Sequence, residues 1–238
     1  MQETELLVSK VVDANTLSVL TQKEIVTGRI FTAVYNPNNN YLFLKRLFDI
    51  VLSVIAIIFL APLFLVVAVA IKLDSKGGVL YTQPRVTKNG KVFKMYKFRS
   101  MCANADEYLK DLQHLNEKDG PVFKIVNDPR VTRVGRFIRK TSIDELPQLF
   151  NILKGEMTIV GPRPPLVTEV EQYTPQQKQR LTVKTGLTCY WQISGRSELT
   201  FDEWVNLDIK YIQEQNLRTD LNIIVKTIPV VLTGRGAY

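Results

Sequence analysis

The pattern of apolar and polar positions changes three times along the chain. Residues 1–40 alternate only weakly, through Leu6-Leu7-Val8 and Val11-Val12, and end in the loop-forming run Asn36-Pro37-Asn38-Asn39-Asn40. This predicts a small appendage on a linker, to which the sequence assigns no role. Ile50 to Ile71 then form a stretch of 22 residues with no charge, Ser53 being the one clearly polar side chain. As a helix it would reach about 33 Å at ~1.5 Å per residue, one hydrocarbon core. A buried helix of a soluble protein is the alternative, but such a helix rarely lacks a polar stripe over six turns. Pro62 lies just past the middle of the run. It removes a backbone donor and crowds the preceding turn, which predicts a kink.

Beyond that segment the period shortens. Val79-Leu80-Tyr81 and Val92 to Phe98 read as strands around a turn at Lys88-Asn89-Gly90. Alternation puts Phe93, Met95, Lys97 and Arg99 on one face of the second strand, and Val92, Lys94, Tyr96 and Phe98 on the other. The polar residues 103–118 read as a helix. Arg130, Arg133, Arg136, Arg139 and Lys140 recur at a spacing that suits one side of a helix. Asp202 to Gln215 reads as an amphipathic helix with Trp204, Leu207 and Tyr211 in register. Leu221 to Leu232 is nearly all apolar and holds Pro229. It is too short to span a bilayer, so it lies in the interface or packs on the domain.

Charge sharpens this picture. The chain carries +8 over 238 residues, and the excess sits in residues 41–140, with Ser75 to Ala105 lacking any acid. A basic block beside an apolar segment suits anionic lipid or phosphorylated ligands. Charge alone also fits nucleic acid, but the apolar segment redirects the reading and no nucleic-acid partner is expected. Lys45 and Arg46 precede the apolar run and Lys72 and Lys76 follow it. The positive-inside tendency places both ends in the cytoplasm, which favours a helix that enters and returns over a simple span. Asp49 at the entrance reads as a local ion-pair partner of Lys45 and Arg46. Cys102 and Cys189 are far apart and His114 is the single histidine, so neither a disulfide framework nor a zinc site is expected. The polar, acid-bearing first 40 residues do not read as a cleavable signal peptide.

Three constellations could carry chemistry. In Thr141-Ser142-Ile143-Asp144-Glu145-Leu146-Pro147-Gln148, adjacent carboxylates follow a basic cluster. They could hold a divalent metal and present a nucleophile, or Ser142 and Glu145 could form a helix-capping box. In Gly161-Pro162-Arg163-Pro164-Pro165, prolines stiffen a loop that either presents the Arg163 fork to a phosphate or simply turns the chain. Lys97-Phe98-Arg99 sets two cations around an aromatic, either for an anionic ligand or as a solvated edge.

Taken in order, these segments resemble the monotopic polyprenyl-phosphate phosphoglycosyl transferases, also called bacterial sugar transferases. The likeness runs from about Tyr41 to Tyr238. It includes Lys45-Arg46-Leu47-Phe48-Asp49, Lys97-Phe98-Arg99-Ser100-Met101, Arg139 to Gln148, Gly155-Glu156-Met157, Gly161-Pro162-Arg163-Pro164, Gln192-Ile193-Ser194-Gly195-Arg196 and Thr233-Gly234-Arg235-Gly236-Ala237-Tyr238. The resemblance implies a membrane-associated α/β fold. A re-entrant helix–break–helix anchor would occupy residues 41–74, with Pro62 at the break. A compact cytoplasmic catalytic domain, 75–238, would carry short strands and amphipathic interfacial helices. The family commonly has serine before that proline, where this chain has Ala61.

The resemblance also implies the reaction. Asp144 attacks the β-phosphate of a UDP-sugar, UMP leaves, and polyprenyl (undecaprenyl) phosphate takes the phosphosugar from the aspartyl intermediate. Mg²⁺ is expected at the Asp144–Glu145 dyad, with Asp144 as ligand. Lys97, Arg99, Arg139 and Arg163 are the candidate phosphate contacts. Arg196 and Asp220 match positions near the donor site, although Asp220 also suits an ordinary acid in a first helical turn. The expected place is the cytoplasmic face of a bacterial inner membrane, in capsule or exopolysaccharide assembly, with a homodimer as one possible state. The shared motifs do not encode which sugar is moved. A basic, membrane-anchored binding protein and a lipid-phosphate hydrolase are the rival readings.

Overall fold

A computed structural model describes residues 38–109, 111–195 and 198–234 of the chain. The predicted appendage at 1–40 therefore lies almost wholly outside the described residues. The uncharged run forms the middle of a 36-residue helix, α1 (Asn39–Asp74). Asn38 opens it, its side-chain oxygen accepting from Asn40 N at 2.9 Å. Ser75 N closes it on Ile71 O at 3.1 Å. Pro62 does not interrupt the helix, which continues through it to Asp74.

One stripe of α1 rests on the rest of the molecule along its whole length. Tyr41, Asp49, Ser53, Val67 and Ile71 are buried. The opposite side is apolar and open, with Phe59 82% and Leu73 84% exposed. The uncharged run thus does not fold away inside a globule. Asp49 corrects the local ion-pair reading. Its carboxylate reaches across the fold to accept from Thr158 Oγ1 at 2.7 Å and Ile159 N at 2.9 Å. Lys45 is likewise turned inward, donating to Asp220 at 2.6 Å.

The predicted hairpin forms as β1 (Leu80–Val86) and β2 (Val92–Phe98), antiparallel, with Leu80 opposite Phe98 and Val86 opposite Val92. Asn89 (φ 58) and Gly90 (φ 76) supply the left-handed turn that brings the strands together. Alternation along β2 splits its side chains between two cores. Phe93 and Met95 join Leu149, Ile152 and Met157, with Ala56, Ile57 and Phe64 of α1 laid over them. Phe98, on the other face, packs with Val67, Ile71 and Ile138.

Two helices and a strand pair complete the frame around the site. Helix α2 (Arg133–Lys140) starts at Thr132, whose hydroxyl accepts from Gly135 N at 3.0 Å. Helix α3 (Gln148–Lys154) stops at Gly155, where φ is 78. Its Asn151 substitutes for a missing strand beside β2, accepting from Tyr96 N at 2.9 Å and donating to Lys94 O at 2.8 Å. Strand β3 (Thr158–Val160) pairs in parallel with β4 (Gly186–Thr188). Gly161 and Gly186 let the backbones meet, since a Cβ on Gly186 would lie 2.2 Å from Gly161 N.

Residues 103–118 depart from expectation. They hold two single 3-10 turns, Glu107–Leu109 and Gln113–Leu115, instead of a helix. Tyr108 and Leu115 are exposed, and so contribute little burial to offset the cost of nucleating a short helix. After the loop that follows β3 comes α4 (Val167–Glu171). The expected amphipathic helix forms as α5 (Phe201–Glu214), burying Phe201, Trp204, Val205, Tyr211 and Ile212. The apolar end becomes α6 (Leu217–Thr233). Ile223 is buried, while Leu221, Val225, Ile228 and Leu232 are exposed in one row.

Candidate active site

Asp144 sits in a single 3-10 turn, Ile143–Glu145, between α2 and α3. The turn follows Ser142, which is held in the left-handed region at φ 56 and makes no capping hydrogen bond. The capping-box reading is thereby excluded. A non-glycine residue in that conformation is strained, and strain of this kind persists where surrounding structure imposes it. Its effect here is to aim Asp144 inward while Glu145 turns toward Lys97, whose Nζ donates to it at 2.7 Å.

Asp144 is only 6% exposed, yet it forms part of the wall of a cavity of about 390 Å³. Lys97, Arg99, Arg139 and Arg163 line the same cavity. Burial raises the Asp144 carboxyl to about 6; Glu145 pushes the same way, while Lys97 and Arg139 pull it back. Burial also raises Asp208 to about 6 beside Arg180, but that pair is sealed in the core, whereas Asp144 faces a cavity, which makes it the candidate functional group.

The cations differ in how they are held. Arg163 stands in the proline loop between β3 and α4. The loop is fixed through its carbonyls, Pro165 O accepting from Val86 N at 2.9 Å and Pro164 O from Arg85 Nη1 at 3.0 Å. The Arg163 guanidinium lies over Trp204 at 5.2 Å and donates to the buried Glu169 at 3.3 Å. Arg99 lines the cavity and also ties down the end of α1, its fork donating to Lys76 O at 2.7 Å and Ser75 O at 2.8 Å while its Nε has no protein partner among the described residues. Asp220 accepts from Tyr41, Lys45 and Tyr211 in a buried knot near the start of α1 and does not line this cavity. Arg196 lies outside the described residues.

Several lining residues escaped the sequence reading. Arg85, whose ionisation burial lowers to about 9, stands among the cations. Its signal was present in the acid-free run, but nothing marked it among seven basic residues there. Trp191, Phe201 and Trp204 make an aromatic wall, Trp191 and Trp204 lying 4.6 Å apart. Helical spacing alone marked Trp204 as core, which it also is.

No cluster of three or more metal-ligating side chains occurs among the described residues. Mg²⁺ needs no such cage, because it is commonly bound by one or two carboxylates together with substrate phosphates and water. Asp144 and the adjacent Glu145 fit that donor set. The arrangement combines a buried carboxylate, several cations and an aromatic wall.

A family model described as bacterial sugar transferase matches residues 40–234. Over 199 residues, 83% of this chain, the sequence is 47% identical to a galactosyl transferase, CpsE, of Streptococcus agalactiae, of which the match covers 44%. It is 46% identical to an undecaprenyl-phosphate galactose phosphotransferase of Salmonella typhimurium over 82% of this chain and 42% of that protein. It is 43% identical to the exopolysaccharide production protein ExoY of Sinorhizobium fredii, with 82% and 88% covered. The chain thus spans less than half of the first two relatives and most of the third.

Proposed function

Since the chain belongs to the bacterial sugar transferase family, we propose that it transfers a sugar-1-phosphate from a UDP-sugar to undecaprenyl phosphate. The observation that carries this reading is the placing of Asp144 in one cavity wall with Lys97, Arg139 and Arg163. Phosphoryl transfer asks for charge neutralisation and in-line positioning more than for acid–base groups. The relatives, an undecaprenyl-phosphate galactose phosphotransferase and an exopolysaccharide production protein, support the same reading.

In the first step an oxygen of Asp144 bonds to the β-phosphorus and the bond to the α-phosphate oxygen breaks, releasing UMP. In the second, an oxygen of the lipid phosphate bonds to that phosphorus and the Asp144 carboxylate leaves. Lys97, Arg139 and Arg163 hold the diphosphate, and Glu169 keeps Arg163 from swinging away. Lys97 also restrains Glu145, which leaves Asp144 the freer carboxylate. Mg²⁺ held at Asp144 and Glu145 would neutralise phosphate charge as it develops.

We place the open apolar side of α1 within one leaflet at the cytoplasmic face of the inner membrane, with both ends of the helix on the same side of the bilayer. Two contacts support this: Tyr41 near its start and Asp74 at its end both bond to the same domain, to Asp220 and to Val134 N. Pro62 frees the carbonyl of Ile58 and is the position where such a helix would bend. That carbonyl then requires a partner from water or headgroups.

Incubation with UDP-sugars and undecaprenyl phosphate, with UMP as the readout, tests the reaction. Turnover that requires the lipid is expected, and Asp144→Asn should abolish it. Lipid-independent turnover would mean hydrolysis. Near-normal release by the Asn variant would discard the assignment of Asp144.

A further inference from the structure

A second cavity, of about 180 Å³, opens beside the N-terminal part of α1 and shares no lining residue with the first. Its wall carries four cations, Lys45, Arg46, Lys88 and Lys184, against one carboxylate, Asp49. Two of these cations are already engaged. Lys45 donates to Asp220, and the Arg46 fork covers Ile152 O at 2.6 Å and Leu153 O at 2.8 Å, neutralising the negative end of α3. Both oxygens of Asp49 are taken by Thr158 and Ile159.

Lys88 and Lys184 remain. No ion pair engages either among the described residues. Lys184 is half-buried, and a Cβ on Gly155 would stand 3.8 Å from its Nζ and 3.4 Å from Arg46 Nη2, so the two cations converge on one turn. Burial, with Arg46, Lys88 and Lys91 nearby, holds the Lys184 ammonium below its ordinary range, while Asp49 opposes. Lys184 is thus a half-buried cation facing three others, with Asp49 the one carboxylate lining the same cavity. Leu42 lines the same cavity, is itself exposed, and leads onto the open apolar residues Phe43 and Leu47 of α1.

We propose that this cavity binds the phosphomonoester headgroup of a membrane lipid, at a site separate from the reacting centre. A phosphomonoester carries up to two negative charges, which match the two uncommitted lysines. The space admits a phosphate but is less than half the size of the first cavity. The continuous apolar flank from Leu42 gives the acyl or prenyl chain a path along α1, which a soluble phosphate would not use. The inference rests on the membrane placement of α1 proposed above and is independent of the reaction.

The test uses the full chain in phosphatidylcholine nanodiscs, with or without phosphatidic acid, the probe for this headgroup. Acylation of individual lysines is followed by mass spectrometry. Lys184 labelling should fall roughly threefold or more in phosphatidic acid discs, as expected for a mostly occupied site. Lys210 should not change, and millimolar inorganic phosphate in plain discs should give no protection. Lys88→Gln/Lys184→Gln protein, checked for a wild-type melting curve, should lose the phosphatidic acid that wild type retains through detergent exchange. Equal Lys184 labelling in both discs, or undiminished retention by the variant, overturns the site. Protection by inorganic phosphate alone overturns its assignment to a lipid. Failure to enter discs would remove the membrane placement and the site together, whereas entry with Lys184 unprotected removes the site alone.

Discussion

At the scale of the residue, Asp144 sets function against stability. Its carboxyl is displaced upward from 3.8 to about 6, chiefly by burial. A folded value above the unfolded one means that the protonated form is favoured in the native state. The stability this contributes is intact below pH about 4 and is lost as pH rises through about 6. At neutral pH the protein therefore holds an ionised group that its own fold disfavours. Asp144→Asn removes that conflict while nearly preserving shape. The inactive variant should be more stable than wild type at pH 7.5, by on the order of 2 kcal/mol. The gap should narrow toward pH 5, as followed by thermal unfolding in detergent. A variant melting below wild type at pH 7.5 would show that Lys97 and Arg139 outweigh burial.

At the scale of the element, the geometry of the site depends on how closely α2 approaches the end of β2. Gly135 makes that approach possible, because a Cβ there would lie 1.9 Å from Ser100 O. Arg139 is one turn further along α2, and the turn bearing Asp144 follows directly. Gly135→Ala must therefore push α2 off the strand, although alanine is the better helix former by about 1 kcal/mol. We expect UMP release to fall by roughly a hundredfold, the scale of loss from an ångström of misplacement, in protein that still folds. Gly78→Ala is the control, since its Cβ would make only an ordinary 3.5 Å contact with Leu80 O. Its activity should stay close to wild type. Equal behaviour of the two variants would mean that α2 tolerates the shift.

At the scale of the whole molecule, two apolar surfaces need cover. One is the outer side of α1, where Phe43, Ile55, Ile58, Phe59, Leu65 and Leu73 are exposed. The other is the row Leu221, Val225, Ile228 and Leu232 on α6. Patches of this kind are rare on soluble monomers. The basic block could also hold the protein at an anionic surface, and salt separates the two causes. At 1 M salt, where the screening length is about 3 Å, washed membranes should retain the protein and detergent should release it. Release by salt alone would transfer the anchoring role from α1 to the cations.

The sequence by itself determined the elements whose signal is local. The uncharged run, the Asn89-Gly90 turn, the alternation of Phe93 and Met95 and the Asp144-Glu145 pair within its motif are all set by neighbours along the chain. Contacts across the fold were decided only by tertiary structure. Asp49 was read as a partner of nearby cations, but a buried carboxylate takes whatever donors surround it, here Thr158 and Ile159. Arg99 and Asp220 carry the chemistry for a ligand, and the fold also ties them to the two ends of α1, through the Ser75 carbonyl and the half-buried Lys45. Residues 103–118 had a pattern compatible with a helix, but their apolar Tyr108 and Leu115 are left exposed. A one-dimensional pattern specifies which side chains could meet; which of them do is settled by the burial of polar groups, and each such group accepts the partners that packing brings within reach.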